Sequence, residues 1–340
     1  MMDHKYITCT GFGGTGSSVI SDLMKEYDNI LSLGSDFEFS LSFDIHGISD
    51  LQHYLVDDFE RHKVTEGIYA FKKHVECLKS EYNHFVGEEF SDILNDYINN
   101  LVLLEWQGEN LMQHYRYSNF KRWLYYDYCT RFQHRFDRFV HKKDGYEHTV
   151  LYKKKLPMQI SVPRDVFFSE TKKMYARLLD IHDKEHKYEY MCFDQLVPAY
   201  NFERYLNYFP NLKIIVIDRD PRDLYLLNKL YWDEGWIPSQ NVDFYIKWFG
   251  EIRRDLQADI AKCRDNVLLV KFEDAIYNYD DTIKTIEDFL GLDKNSHVKP
   301  QNFFNPKKSK RNTKIWEQEG APIDDVKKIE SQLRQYCYPY

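Results

Sequence analysis

The chain has 340 residues, of which 43% are apolar, with 46 basic and 54 acidic side chains for a formal net charge of −8. This is enough apolar material to build a sizeable core in one large domain or two modest ones, and it excludes a disordered chain. The acidic balance excludes a global electrostatic pull toward nucleic acid or an anionic membrane, so any anion site must be local.

Taken in chain order, Ile7 to Thr10 reads as a short buried strand, and Gly11-Phe12-Gly13-Gly14-Thr15-Gly16-Ser17-Ser18 as a glycine loop leading into a helix from Ser18 to Tyr27. Val19, Ile20, Leu23 and Met24 would share one face of that helix. Such a loop cradles anionic oxygens with its backbone N–H groups and the positive end of the following helix. The lysine that reaches the terminal phosphates of a nucleoside triphosphate is replaced by Ser17, so magnesium-triphosphate chemistry does not follow. The spacing Gly11-x-Gly13-x-x-Gly16 also fits a dinucleotide fingerprint, with Asp36 or Glu38 as the ribose carboxylate of an NAD(P)-dependent oxidoreductase. A ligand-free strand-to-helix turn is the third reading.

Further along, Asp36 and Glu38 alternate with apolar neighbours and would lie on the same side of an extended segment. From Asp57 to Tyr146 the pattern is long and helical, with basic and aromatic residues interleaved at Arg131, His134, Arg135, Arg138, His141, Lys142 and Lys143, a run that could bind an acidic or sugar acceptor but reads first as a solvated amphipathic face. A loop is expected around Lys153 to Pro163 and a helix from Ser169 to His182. Ile214 to Ile217 is a β-branched run suited to a central parallel strand, and Asp218-Arg219-Asp220-Pro221-Arg222-Asp223 follows at the edge where open α/β sheets collect ligands. Pro221 suits the first turn of the next helix. Val267 to Val270 reads as another such strand, with a helix from Asp281 to Leu290. Arg219 at a strand end is equipped to grip a phosphate bidentately, and its alternative is an ion pair with Asp218, Asp220 or Asp223. A glycine cradle and a later strand-end arginine on one sheet suggest a ligand with two separated phosphates.

These ordered pieces resemble the sulfotransferases that use 3′-phosphoadenosine 5′-phosphosulfate (PAPS), in particular bacterial members associated with surface glycans. Gly13-Gly14-Thr15-Gly16-Ser17-Ser18 looks like the 5′-phosphosulfate loop, and Ile215 through Asp223 like the strand-plus-arginine 3′-phosphate motif. Phe193-Asp194-Gln195 with Pro198, Val270-Lys271-Phe272-Glu273-Asp274 and Phe289-Leu290-Gly291-Leu292 are similar to its flanking segments. Ser309-Lys310-Arg311-Asn312 with Trp316 resembles the basic loop that closes over the nucleotide. The resemblance covers about the first 55 residues and 190 to 320. It implies a P-loop-like α/β fold, a central parallel sheet flanked by helices, with a mostly helical insertion over 57–165 on the acceptor side of a single 1–340 domain.

It also implies a function: transfer of a sulfuryl group from PAPS to a hydroxyl, with a carbohydrate as the expected acceptor and PAP as product. The implied nucleotide contacts are Gly13, Gly14, Thr15, Gly16, Ser17, Ser18, Arg219, Lys310 and Arg311, with Asn228 standing beside Leu227, which occupies the place of a family serine. The implied base is Glu38, with Asp36 and His46 as rivals. Two further departures stand out. The family's loop lysine or arginine is Gly14, and its adenine-stacking aromatic is Val19. The replacement cation is sought at Arg311, Lys310 or Lys153 to Lys155. A non-catalytic PAP- or glycan-binding protein is the bland alternative. The chemistry calls for no metal, because the sulfuryl group carries little charge to neutralise.

The 27 Tyr and 23 Phe residues favour surfaces able to stack on sugars or nucleobases. Cysteines 9, 77, 129, 192, 263 and 337 show no CxxC pairing, which argues against zinc and against a disulfide framework. With no leader pattern and no bilayer-length apolar run, the expectation is a cytoplasmic protein with no membrane span and no nucleic-acid partner.

Overall fold

The computed structural model of the protein describes residues 4–108, 118–140 and 156–340. Among these, strands form at β1 Lys5–Gly11, β2 Ile30–Ser32, β3 Val102–Gly108, β4 Leu156–Ser161, β5 Tyr190–Asp194, β6 Leu212–Asp218 and β7 Val267–Lys271. Five of them make a parallel sheet in the order β2-β5-β1-β6-β7. Side chains Ile214 to Ile217 of β6 are wholly buried, as a strand covered on both faces requires, and this explains the unbroken β-branched run. The chain leaves β1 toward the β5 side and later crosses to β6 and β7. The crevice between the C-terminal ends of β1 and β6 is therefore the switch point of the sheet, the place where such folds hold ligands.

The chain divides into two compact units. One comprises the residues up to Asp44 together with Thr171–Tyr340, and the other is Ile45–Glu170. In the first, the helix Ser18–Met24 buries Val19, Ile20, Leu23 and Met24 in a core shared with Ile7, Cys9, Ile215, Ile217, Val270 and Ile286. That helix stops at Met24, short of the expected Tyr27. The Tyr27 ring is instead stacked on His297 at 4.5 Å. A second core joins Leu224, Tyr225 and Leu227 to Tyr245, Phe249 and Ile329.

In the second unit the helix Arg61–Val86 buries Val64, Ile68, Phe71, Val75, Tyr82 and Val86, an i, i+3/i+4 stripe. Gly87, at φ +87°, ends it, and Glu89–Asn100 packs Phe90, Ile93, Leu94 and Tyr97 inward. The segment expected to be a loop before Pro163 holds β4, which pairs antiparallel with β3. Pro157 sits near the start of a two-stranded ribbon, where a missing N–H is tolerated. Arg131, Arg135 and Arg138 are exposed on the helix Cys129–Val140, while His141, Lys142, Lys143 and Lys153 to Lys155 lie outside the described residues. Among the described residues, no helix is long and apolar enough to cross a membrane.

Candidate active site

The loop after β1 adopts backbone that only glycine tolerates well. Gly13, Gly14 and Gly16 have φ of +74°, +65° and +102°, the left-handed side of the map. Space is equally short. A Cβ on Gly13 would lie 2.1 Å from the Trp236 ring, on Gly14 2.9 Å from the Trp232 ring, and on Gly16 2.7 Å from the Phe272 ring. The family's loop lysine thus has no room at Gly14. The Thr15 hydroxyl accepts the Phe12 N–H at 3.3 Å, tying the loop to itself, while Ser17 and Ser18 stand at the start of the helix. Val19, the position of the family's adenine-stacking aromatic, faces the core.

Arg219 follows β6 and comes directly to this loop. It is 2% exposed, one terminal nitrogen donates to the Gly14 carbonyl at 3.2 Å, and the other donates to the Asn312 carbonyl at 2.6 Å. The guanidinium lies 4.1 Å over the Phe272 ring, and its buried Nε has no partner. The neighbouring acids that might have neutralised it are occupied elsewhere. Asp218 pairs with Arg253 at 2.9 Å and with Lys271 at 3.0 Å. Asp220 pairs with Arg222 at 2.6 Å, and Asp223 accepts from the Ile315 N–H and the Tyr340 hydroxyl. Arg219 forms no ion pair among the described residues, and a buried guanidinium with an orphaned N–H calls for an anionic oxygen. Burial draws its pKa down, the penalty a bound anion would relieve.

The expected basic loop contributes through Asn312. Lys310–Asn312 forms a single turn tied to Arg219 by the Asn312 carbonyl, with Lys310 and Arg311 exposed on it. Lys310 reaches over the Tyr277 ring at 5.6 Å. The structure gives Asn228 a different place from the expected phosphate contact. Its Nδ2 donates to the carbonyls of Glu234 and Ile237 and to the Ser239 hydroxyl, and its Oδ1 accepts the Glu234 N–H. With both polar atoms engaged, Asn228 is the clasp of the 228–239 segment that carries Trp232 and Trp236.

On the other side of the loop stands a pair of carboxyls. Asp36 and Glu38 are exposed while Phe37 and Phe39 are buried, so the alternation places both acids on the wet side. Glu38 forms a parallel bridge to Asp194 at the end of β5. Asp194 is 2% exposed, accepts from the Cys9 thiol at 3.1 Å, and lies at 3.5 Å from the donating Ser17 hydroxyl. Burial first, with the Glu38 charge adding to it, pushes the Asp194 carboxyl up to about 6. Asp194 entered the sequence reading only as part of a flanking motif. Its signal is an acid closing a wholly buried strand beside the loop hydroxyls. His46 belongs to the Ile45–Glu170 unit, is exposed at φ +66° and donates its backbone N–H to Asp50.

Glu273, which follows β7, completes the surroundings of Arg219. It is wholly buried, one oxygen accepts the Asp220 N–H at 2.9 Å, and the other has no partner. Desolvation raises its carboxyl to about 8.

Residues 103–296 match the model of the sulfotransferase family, a span that holds Arg219 and Glu273 but not the glycine loop. No curated protein matches the chain. Among solved structures, the sulfotransferase domain of the olefin synthase of Synechococcus PCC 7002 is similar at 12% identity and a TM-score of 0.42, covering 100% of this chain and 98% of its own. The sulfotransferase domain from the curacin biosynthetic pathway gives 12% and 0.40, covering 99% of each chain. A sulfotransferase of Mycobacterium avium gives 11% and 0.38, covering 98% of this chain and 76% of its own.

Proposed function

The chain belongs to the sulfotransferase family, and from that premise we propose that it transfers the sulfuryl group of PAPS to a hydroxyl of a carbohydrate and releases PAP. The observation that carries this reading is Arg219, buried without an ion pair among the described residues, between the glycine loop and the Lys310–Asn312 turn, with Nε unpartnered. The residues suit a doubly anionic nucleotide. Arg219 would grip the 3′-phosphate, with Lys310 and Arg311 adding charge from the turn beside it. The loop N–H groups and the hydroxyls of Ser17 and Ser18 would receive the phosphosulfate.

Transfer needs the acceptor oxygen, sulfur and leaving phosphate oxygen in line. The acceptor O–S bond forms as the S–O bond to the 5′-phosphate breaks, the bonding pair leaves on the phosphate oxygen, and the hydroxyl proton goes to a carboxylate. We assign that base to Glu38, which is exposed and adjacent to the loop strand end through Asp194. Asp194 accepts from Ser17 beneath the loop, and the Ser18 hydroxyl with the loop N–H groups would donate to the leaving group. With Gly14 unable to carry a cation, Lys310 and Arg311 are the groups we assign to the charge developing on the leaving oxygen.

Transfer of radiolabelled sulfate from PAPS onto a panel of glycans tests the reading. Label on a sugar hydroxyl, lost in Glu38→Gln, is the expected result. Label on phenols or peptides and on no glycan would remove the carbohydrate assignment, and absence of label from every acceptor despite PAP binding would favour a non-catalytic binder.

A further inference from the structure

Beside the glycine loop, within the same unit, lies a cleft of about 850 Å³, the size of small-ligand sites in general. Gly11 and Phe12, the first residues of the loop, form one wall, and Gln195, next to Asp194, forms another. The cleft therefore adjoins the start of the glycine loop and the residue that follows Asp194. Its lining has two chemistries. Phe12, Tyr200 and Trp248 supply rings, with Tyr200 52% exposed, and Trp248 continues at 6.5 Å into Trp236, the ring that covers Gly13.

The second chemistry is acidic. Glu251, Asp255 and Asp259 line the cleft with a single cation, Lys262, and that lysine is paired with Asp259 at 3.5 Å. Glu251 and Asp255 are exposed and pair with Arg254 at 2.7 and 3.6 Å, which leaves carboxylate oxygens open to a ligand's hydroxyls. Aromatic faces bind the C–H face of a pyranose by burying apolar surface, and positioned carboxylates accept its hydroxyls in charge-assisted bonds. A carboxylate, sulfate or phosphate on the ligand would meet three carboxylates against two cations, Arg254 and Lys262, that are both already paired, which leaves an excess of negative charge to oppose it.

We propose that this cleft receives the sulfuryl acceptor, and that it takes a neutral sugar chain and rejects a uronate-bearing one. The proposal rests on the sulfotransferase reading, and its test separates the two. PAP binding is measured first by calorimetry. Intrinsic tryptophan fluorescence of the PAP-saturated protein is then titrated with neutral galacto- and gluco-oligosaccharides and with oligogalacturonate of matched length. The neutral chains should give a saturable change, and oligogalacturonate should bind at least about tenfold more weakly. Trp248→Ala should weaken the neutral chain about tenfold or more while leaving PAP affinity within about twofold, and Trp248→Phe should restore most of it. Glu251→Lys combined with Asp255→Lys should turn the preference toward oligogalacturonate. Equal binding of the two ligand types, no binding of neutral chains to PAP-loaded protein, or an unchanged acceptor affinity in Trp248→Ala would overturn the cleft assignment. Failure of PAP itself to bind would overturn the nucleotide reading beneath it.

Discussion

At Gly14, where the resemblance would place a lysine or arginine, the obstacle to a side chain is steric. At φ +65°, with the Trp232 ring and Leu224 crowding the place of a Cβ, a lysine would meet both an unfavourable backbone and a clash. Gly14→Lys should therefore destabilise the protein by about 1–3 kcal/mol and weaken PAP binding. Denaturant melts and calorimetry on one preparation check both. A gain in PAP affinity would contradict the packing argument. Glu273 gives a pH signature. Its carboxyl stays protonated in the fold to about 8, against an ordinary value of 4.5, so between those values the folded state holds the extra proton. Stability should fall as pH rises through that window, the loss being complete above about 8. Glu273→Gln, which cannot ionise, should show a flatter dependence of Tm on pH between about 6 and about 8.5. An identical slope in the variant would place the titration elsewhere. At this scale the sequence displayed the glycines, Arg219 and the Asp36/Glu38 alternation plainly. It did not display which acids neutralise which bases: Asp218, Asp220 and Asp223 are all adjacent to Arg219, and only the fold sends them to Arg253, Arg222 and Tyr340 instead.

Among the elements, the 228–239 segment has the most to explain. Asn228 → its four hydrogen bonds hold a turn whose two tryptophans press on Gly13 and Gly14, so the loop geometry depends on a residue that need not touch the nucleotide. Asn228→Ala orphans the buried Ile237 carbonyl at about 1–3 kcal/mol and releases the Glu234 backbone, and should speed hydrogen exchange across 228–239 and lower PAP affinity together. Lower PAP affinity with exchange unchanged would return Asn228 to the role of a direct phosphate contact. The parallel strands were readable because burial on both faces demands an unbroken apolar run, as in Ile214 to Ile217. The β3–β4 ribbon was not, since the interior residues of β3 are exposed and β4 buries the polar Gln159 and Ser161 beside Met158, so neither strand shows an apolar alternation to read.

For the whole molecule, the unit that holds the candidate site is assembled from residues on both sides of the Ile45–Glu170 unit. The glycine loop and Arg219 are separated by about 200 positions in sequence and joined by one hydrogen bond in the fold, a pairing suggested in the sequence by two anion-binding devices at strand ends of one sheet. On this reading the loop, Arg219 and the Lys310–Asn312 turn form a single site for a nucleotide with two separated phosphates. Calorimetric titration of the wild-type protein and Arg219→Ala with PAP, NADPH and ATP-Mg tests it most directly. PAP alone should bind the wild type saturably, and the variant should lose at least about 100-fold in affinity, some 2.7 kcal/mol. Tight binding of NADPH or ATP-Mg without PAP, or unchanged PAP binding in Arg219→Ala, would contradict it.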